Sequence, residues 1–158
     1  MKKITFLCLT FCSVPTFAQG TRPMLGIIIG DPTGLSFRQS LNKEHSWDAA
    51  LAYSLFWGGF HFHANYLWDK AKVFSIEKQP IEFYYGVGGR VKSWTYRNES
   101  KIVKTQRSLA IGPRFPFGLA TNIETPRLQL FVEIAPVVDV LPEVDVDVNF
   151  GLGLRYRF

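Results

Sequence analysis

The stretch VDVDVNFGLGLRYRF, Val144 to Phe158, decides the fold. Its even positions are Val144, Val146, Val148, Phe150, Leu152, Leu154, Tyr156 and Phe158; its odd positions are Asp145, Asp147, Asn149, Gly151, Gly153, Arg155 and Arg157. Successive side chains of a strand point to opposite faces, so this pattern is one long strand with an apolar face and a polar or small face. A helix would bury Asp and Arg among the apolar set.

The same alternation recurs upstream. Met24 to Gly30 reads as a first strand, and Asp31-Pro32-Thr33-Gly34 as a turn with Asp, Pro and Gly in type I positions. Leu35 to Leu41 returns, and Asn42 to His45 is a polar turn. Trp47 to Trp57 and Phe60 to Trp68 form the next pair about Gly58-Gly59, and Asp69 to Pro80 reads as a looser polar segment. Ile81 begins a fifth strand that runs towards Tyr96, and Arg97 to Gln106 is a charged loop. Ser108 to Leu119 is a sixth strand in which Pro113 and Pro116 cannot donate to a ladder, so a bulge or an early end is expected there. Arg127 to Val140 and the closing stretch complete eight strands in meander order, an even number suited to an up-and-down barrel.

Residues 1–18 stand apart. Lys2 and Lys3, the apolar run Ile4 to Phe11, and Thr16-Phe17-Ala18 before a cut have the form of a secretory signal peptide, leaving 19–158 as the barrel domain. A lipoprotein site is disfavoured because Phe11 precedes Cys12. Both cysteines, Cys8 and Cys12, fall in the removed segment, so backbone pairing and packing must hold the barrel without a disulfide. Removing Lys2 and Lys3 lowers the net charge of +5 by two, and the basic residues are scattered, so nucleic acid is not an expected partner. No apolar run approaches the roughly 20 residues of a membrane helix. A chain of this kind enters a membrane only as a closed barrel.

Three features turn the apolar face outward, towards lipid. The other face is rich in small residues, among them Gly26, Gly30, Ala50, Ala52, Ser54, Gly86, Gly88, Ala110, Gly112, Gly151 and Gly153, which suit a narrow lumen where Trp, Tyr and Phe do not fit. Lys43, Lys70, Lys72, Lys78, Lys101 and Lys104 lie in segments read as turns, not on a water-facing strand surface. Aromatics bracket the strands, as Trp47 and Trp57 do. Ten steps of about 3.3 Å tilted by about 40° give roughly 25 Å, the height of an outer-membrane apolar band.

On the lumen face, Arg38, Arg90, Lys92, Arg114, Arg155 and Arg157 balance Asp48, Glu82, Glu133, Asp139, Asp145 and Asp147. The expectation is a structural ion network that plugs the lumen. The fold class is therefore an all-β, eight-stranded antiparallel up-and-down transmembrane β-barrel.

The signal peptide, the eight alternating strands and the terminal Tyr156 and Phe158 resemble the small OmpA/OmpX-type outer-membrane proteins. More narrowly, GDPTGLS at Gly30 to Ser36, YYGVGGR at Tyr84 to Arg90, and LFVEIAPVVDVLP at Leu130 to Pro142 followed by GLGLRYRF resemble a family of uncharacterised small bacterial outer-membrane barrels. The resemblance implies an outer-membrane location. It also implies insertion by the barrel assembly machinery reading the C-terminal aromatic, and it brings no catalytic residues.

Candidate sites are few. His61-x-His63 sits on one strand face and could chelate a metal, but spacing places no third ligand, and lumen histidines bonded to Asp or Glu neighbours are the preferred reading. Gly86-Val87-Gly88-Gly89 superficially resembles a phosphate loop but opens no helix. Arg97, Lys101, Lys104 and Arg107 make an outward loop basic. It is read as solvated, with lipopolysaccharide phosphates or an acidic partner as the alternative.

No catalytic, cofactor-binding or metal residue is assigned and no cofactor is expected. The expected role is structural or adhesin-like, without enzymatic activity or an open pore. The protein is expected to be a monomer among outer-membrane lipids and lipopolysaccharide, with the loops available to an extracellular protein. A lipid A-modifying deacylase or acyltransferase is the alternative. It would need an activated serine or an acid-base set, and no recognisable motif supplies one.

Overall fold

The computed structural model describes residues 22–54, 59–76, 79–96 and 106–158. Among the described residues nine strands follow one another: β1 (Pro23–Asp31), β2 (Thr33–Ser40), β3 (His45–Ser54), β4 (Gly59–Ile76), β5 (Gln79–Tyr96), β6 (Gln106–Arg114), β7 (Phe117–Ile123), β8 (Leu128–Asp139) and β9 (Asp145–Arg157). Every pairing is antiparallel, β1 pairs with both β2 and β9, and β4 pairs with both β3 and β5, so the sheet closes on itself. Strands β6 and β7 are the two halves of one stave, because both pair with β5 on one side and β8 on the other. The result is an all-β, eight-staved antiparallel closed barrel.

The stagger of the strands is visible in the ladder. Starting from Asp31 at the end of β1, partners run through Phe150, Ile134, Phe117, Tyr85 and Trp68 to His45 at the opposite end of the barrel. Such stagger is what tilts the strands of a closed barrel by about 35–45°.

The break between β6 and β7 falls at Phe115-Pro116, in the strand where two prolines made an irregularity expected. Phe115 N–H still donates to Pro136 O at 2.9 Å, and Pro116 O accepts from Gly86 N–H at 2.9 Å, so the barrel wall stays hydrogen-bonded across the break. Asp69 to Pro80 is not a loose segment. Strand β4 continues to Ile76 and pairs back onto β5, with a register shift between Lys70 and Phe74 and Lys72 at a φ of 35°. That irregularity puts Val73 and Phe74 side by side as exposed apolar residues and breaks the period-two pattern. Lys70 and Lys72 thus lie in a strand, not a turn.

Sidedness follows the alternation. Leu35 is 59% exposed and Leu152 56%, whereas Arg90 is 1% and Arg155 2%. Rings gather at the end of the barrel where β1 begins and β9 ends, its terminal end: Phe37 lies 5.0 Å from Trp47, Trp68 stacks on Tyr85 at 5.6 Å, and Tyr156 meets Phe158 edge-on at 5.2 Å. At the far end Tyr53 meets Phe60 at 6.0 Å. Trp57, the signal segment and the basic loop 97–105 lie outside the described residues, and of that basic set Arg107 is placed only by its backbone in β6.

The lumen is not reserved for small side chains. Tyr84 and Phe131 are fully buried inside it with Ile28 and Leu67, contrary to the expectation that aromatics would not fit. Glycines make the room. A Cβ on Gly118 would stand 2.2 Å from the Tyr84 ring, one on Gly153 2.2 Å from the Phe131 ring, and one on Gly151 2.5 Å from Ile28.

Candidate functional site

The polar side of the strands converges in the lumen, and three clusters follow one another along the axis. Towards the far end, Arg90 from β5 binds Asp139 of β8 at 2.5 Å and Asp147 of β9 at 2.7 Å, and donates to Asn149 at 3.3 Å. Lys92, two residues along the same face, reaches Asp147 at 3.3 Å. This one guanidinium therefore ties β5 across the barrel to both arms of the β8–β9 hairpin.

In the middle, Arg114 binds Glu133 at 2.7 Å, and the Tyr84 hydroxyl donates to the other Glu133 oxygen at 2.9 Å. Both charged side chains are 2% exposed. Towards the terminal end, Arg155 donates to Ser36 at 2.9 Å and Gln129 at 3.2 Å, reaches Asp48 at 3.4 Å, and lies 3.7 Å above the Phe131 ring. Asn65 donates to the other Asp48 oxygen at 2.7 Å. Arg38 pairs with Asp69 and lies 4.5 Å from the centre of the Tyr84 ring.

The expected balance of charges is therefore partly redrawn. Arg38, Arg90, Lys92, Arg114, Arg155, Asp48, Glu133 and Asp139 are buried as expected. Asp145 is exposed at the far end, Arg157 is a rim residue paired to Glu124 at 3.1 Å, and Glu82 is half-buried where it accepts from Asn122 at 3.1 Å. Asp69 takes the place of a lumen anion. Continuing the alternation His61, His63, Asn65, Leu67 by one step would have found it, but the polar run after Trp68 reads as a turn.

His61 and His63 do face the lumen and are buried. Their partners are each other, with His61 Nε2 3.0 Å from His63 Nδ1, and not the acidic neighbours expected. Among the described residues no three His, Cys, Asp or Glu side chains stand together as a metal-binding group.

The arrangement can hold strands together through charge-assisted bonds in a space with little water. The fold and this interior define a class: a small closed barrel, polar within and apolar on its outer surface. No family model and no curated protein matches the chain. Among solved structures, the chain is similar to the crystal structure of Neisserial surface protein A (NspA), at 14% identity over 87% of this chain and 94% of that one, with a TM-score of 0.47.

Proposed function

We propose that this protein is an integral outer-membrane barrel with a structural or surface-contact role in the cell envelope and no open pore. One observation carries the reading: large aliphatic and aromatic side chains such as Ile29, Leu35, Leu51, Phe62 and Leu152 cover the outside, while guanidinium and carboxylate groups fill the inside. Water would solvate the reverse arrangement, and lipid solvates this one.

The cross-barrel bonds of Arg90, Arg114 and Arg155 support the proposed closed lumen, because they tie the buried ions in place and do not leave them free to line a channel. Planar-bilayer recordings of the folded protein are expected to show no stable conductance; a steady open channel would overturn the plugged reading. Outer-membrane lipids and lipopolysaccharide are the proposed surroundings, with an extracellular protein as the further proposed contact. The exposed aromatic pair Tyr156 and Phe158 after β9 is the proposed contact for the assembly machinery. No catalytic role is assigned. Purified protein that altered lipid A acyl chains, with the turnover lost in His61→Ala, would replace this reading by the enzymatic one.

A further inference from the structure

A cavity of about 250 Å³ lies at the terminal end of the lumen, lined from β1, β2, β4, β5, β7, β8 and β9. Its described lining carries five cations, Arg22, Arg38, Lys43, Lys70 and Arg157, and two carboxylates, Asp69 and Glu82. Both carboxylates are engaged, Asp69 by Arg38 and Glu82 by Asn122. Glu124 on the rim engages Arg157. Positive charge remains in excess after these pairings.

Arg38 supplies the second observation. It is 4% exposed, one of its terminal nitrogens holds Asp69, and the other, Nη1, has no acceptor among the described residues. Arg157 Nε likewise lacks one. Held by Asp69 and the face of Tyr84, the Arg38 guanidinium is fixed as a positive charge in the cavity wall. The planar donor fork of Arg, with lysines around it, matches the oxygens of a phosphate or carboxylate.

We propose that this mouth of the barrel binds a small oxyanion of the phosphate or carboxylate type, with Arg22, Lys43 and Arg157 closing around it and Arg38 as the fixed positive charge in the wall. The site goes beyond the structural role above, because its chemistry does not depend on what surrounds the outer face. The oxyanion could reach it from solution or as a lipid phosphate headgroup at that end.

Calorimetric titration of the folded full chain in a neutral maltoside detergent, with inorganic phosphate and with citrate, tests it. Saturable binding that weakens with added salt is expected. Arg38→Met should lower the affinity about tenfold, the loss of one positive charge from the wall of a part-buried site. Should that variant fail to fold, Arg22→Gln combined with Lys43→Gln, both at exposed positions, should weaken binding about two- to fivefold while leaving the fold intact.

Glu143→Gln at the far end should change nothing. Repeating the titration in nanodiscs of phosphatidylcholine and of phosphatidylglycerol separates the sources. Loss of phosphate binding only with the anionic lipid assigns the site to a headgroup, and equal binding in both assigns it to a soluble anion. Absence of saturable binding by either probe, or binding undiminished in the cavity variants, would overturn the site.

Discussion

Arg90 and Arg155 are equally buried in one lumen, yet they are held in different ways. Arg90, towards the far end, is clamped by two carboxylates from the two arms of one hairpin. Arg155, towards the terminal end, has one carboxylate at 3.4 Å and otherwise a hydroxyl, an amide oxygen and the face of Phe131. The first cluster neutralises charge with charge. The second spreads one charge over neutral dipoles and a ring, an arrangement in which each contact is weak and several are needed.

The largest effect should come from breaking the first clamp. Arg90→Met leaves Asp139 without its cation and Asp147 with Lys92 alone, and should cost about 3 to 5 kcal/mol, read from the urea midpoint of the folded barrel in detergent or vesicles. Adding Asp139→Asn to that variant should recover part of the loss. No recovery would mean that the cost is packing and not charge.

Next comes the face on which the comparison rests. Leu152→Arg, on the outer side of β9, should destabilise the barrel in lipid by about 2 to 4 kcal/mol if it lies near the bilayer midplane. Unchanged folding in lipid vesicles would put the lumen and outer faces the wrong way round.

Arg155→Met should cost less than Arg90→Met, about 1 to 3 kcal/mol, because Asp48 keeps Asn65 as a donor and mostly neutral acceptors lose a partner. The same urea titration, showing Arg155→Met to be the more damaging of the two, would reverse the contrast. Smallest of all should be Arg157→Gln on the rim. Its partner Glu124 is 81% exposed, so its removal should shift the midpoint by at most about 1 kcal/mol.

Much of this interior was legible in the chain. Period two in Val144 to Phe158 placed Asp147, Asn149 and Arg155 on one face, and that face is the lumen. Less legible were the places where the period fails. The polar run after Trp68 reads as a turn and so hid Asp69, and with it the partner of Arg38 and one wall of the proposed anion site. Phe131 and Tyr84 are not legible as lumen residues, because a lumen rich in small residues looks too narrow for rings and only the structure sets Gly153 and Gly118 against them.

From the sequence by itself came the number of staves, the meander order and the identity of the two faces. Each depends on neighbours one or two residues apart, and the geometry of a strand transmits those directly into space. Only the tertiary structure decided which cation meets which anion and that His61 and His63 bond to one another. It also decided that the terminal mouth gathers more positive than negative charge. Those pairings depend on strand stagger around a closed ring, which brings together residues such as Arg90 and Asp147 from far apart in the chain, and no local pattern carries that distance.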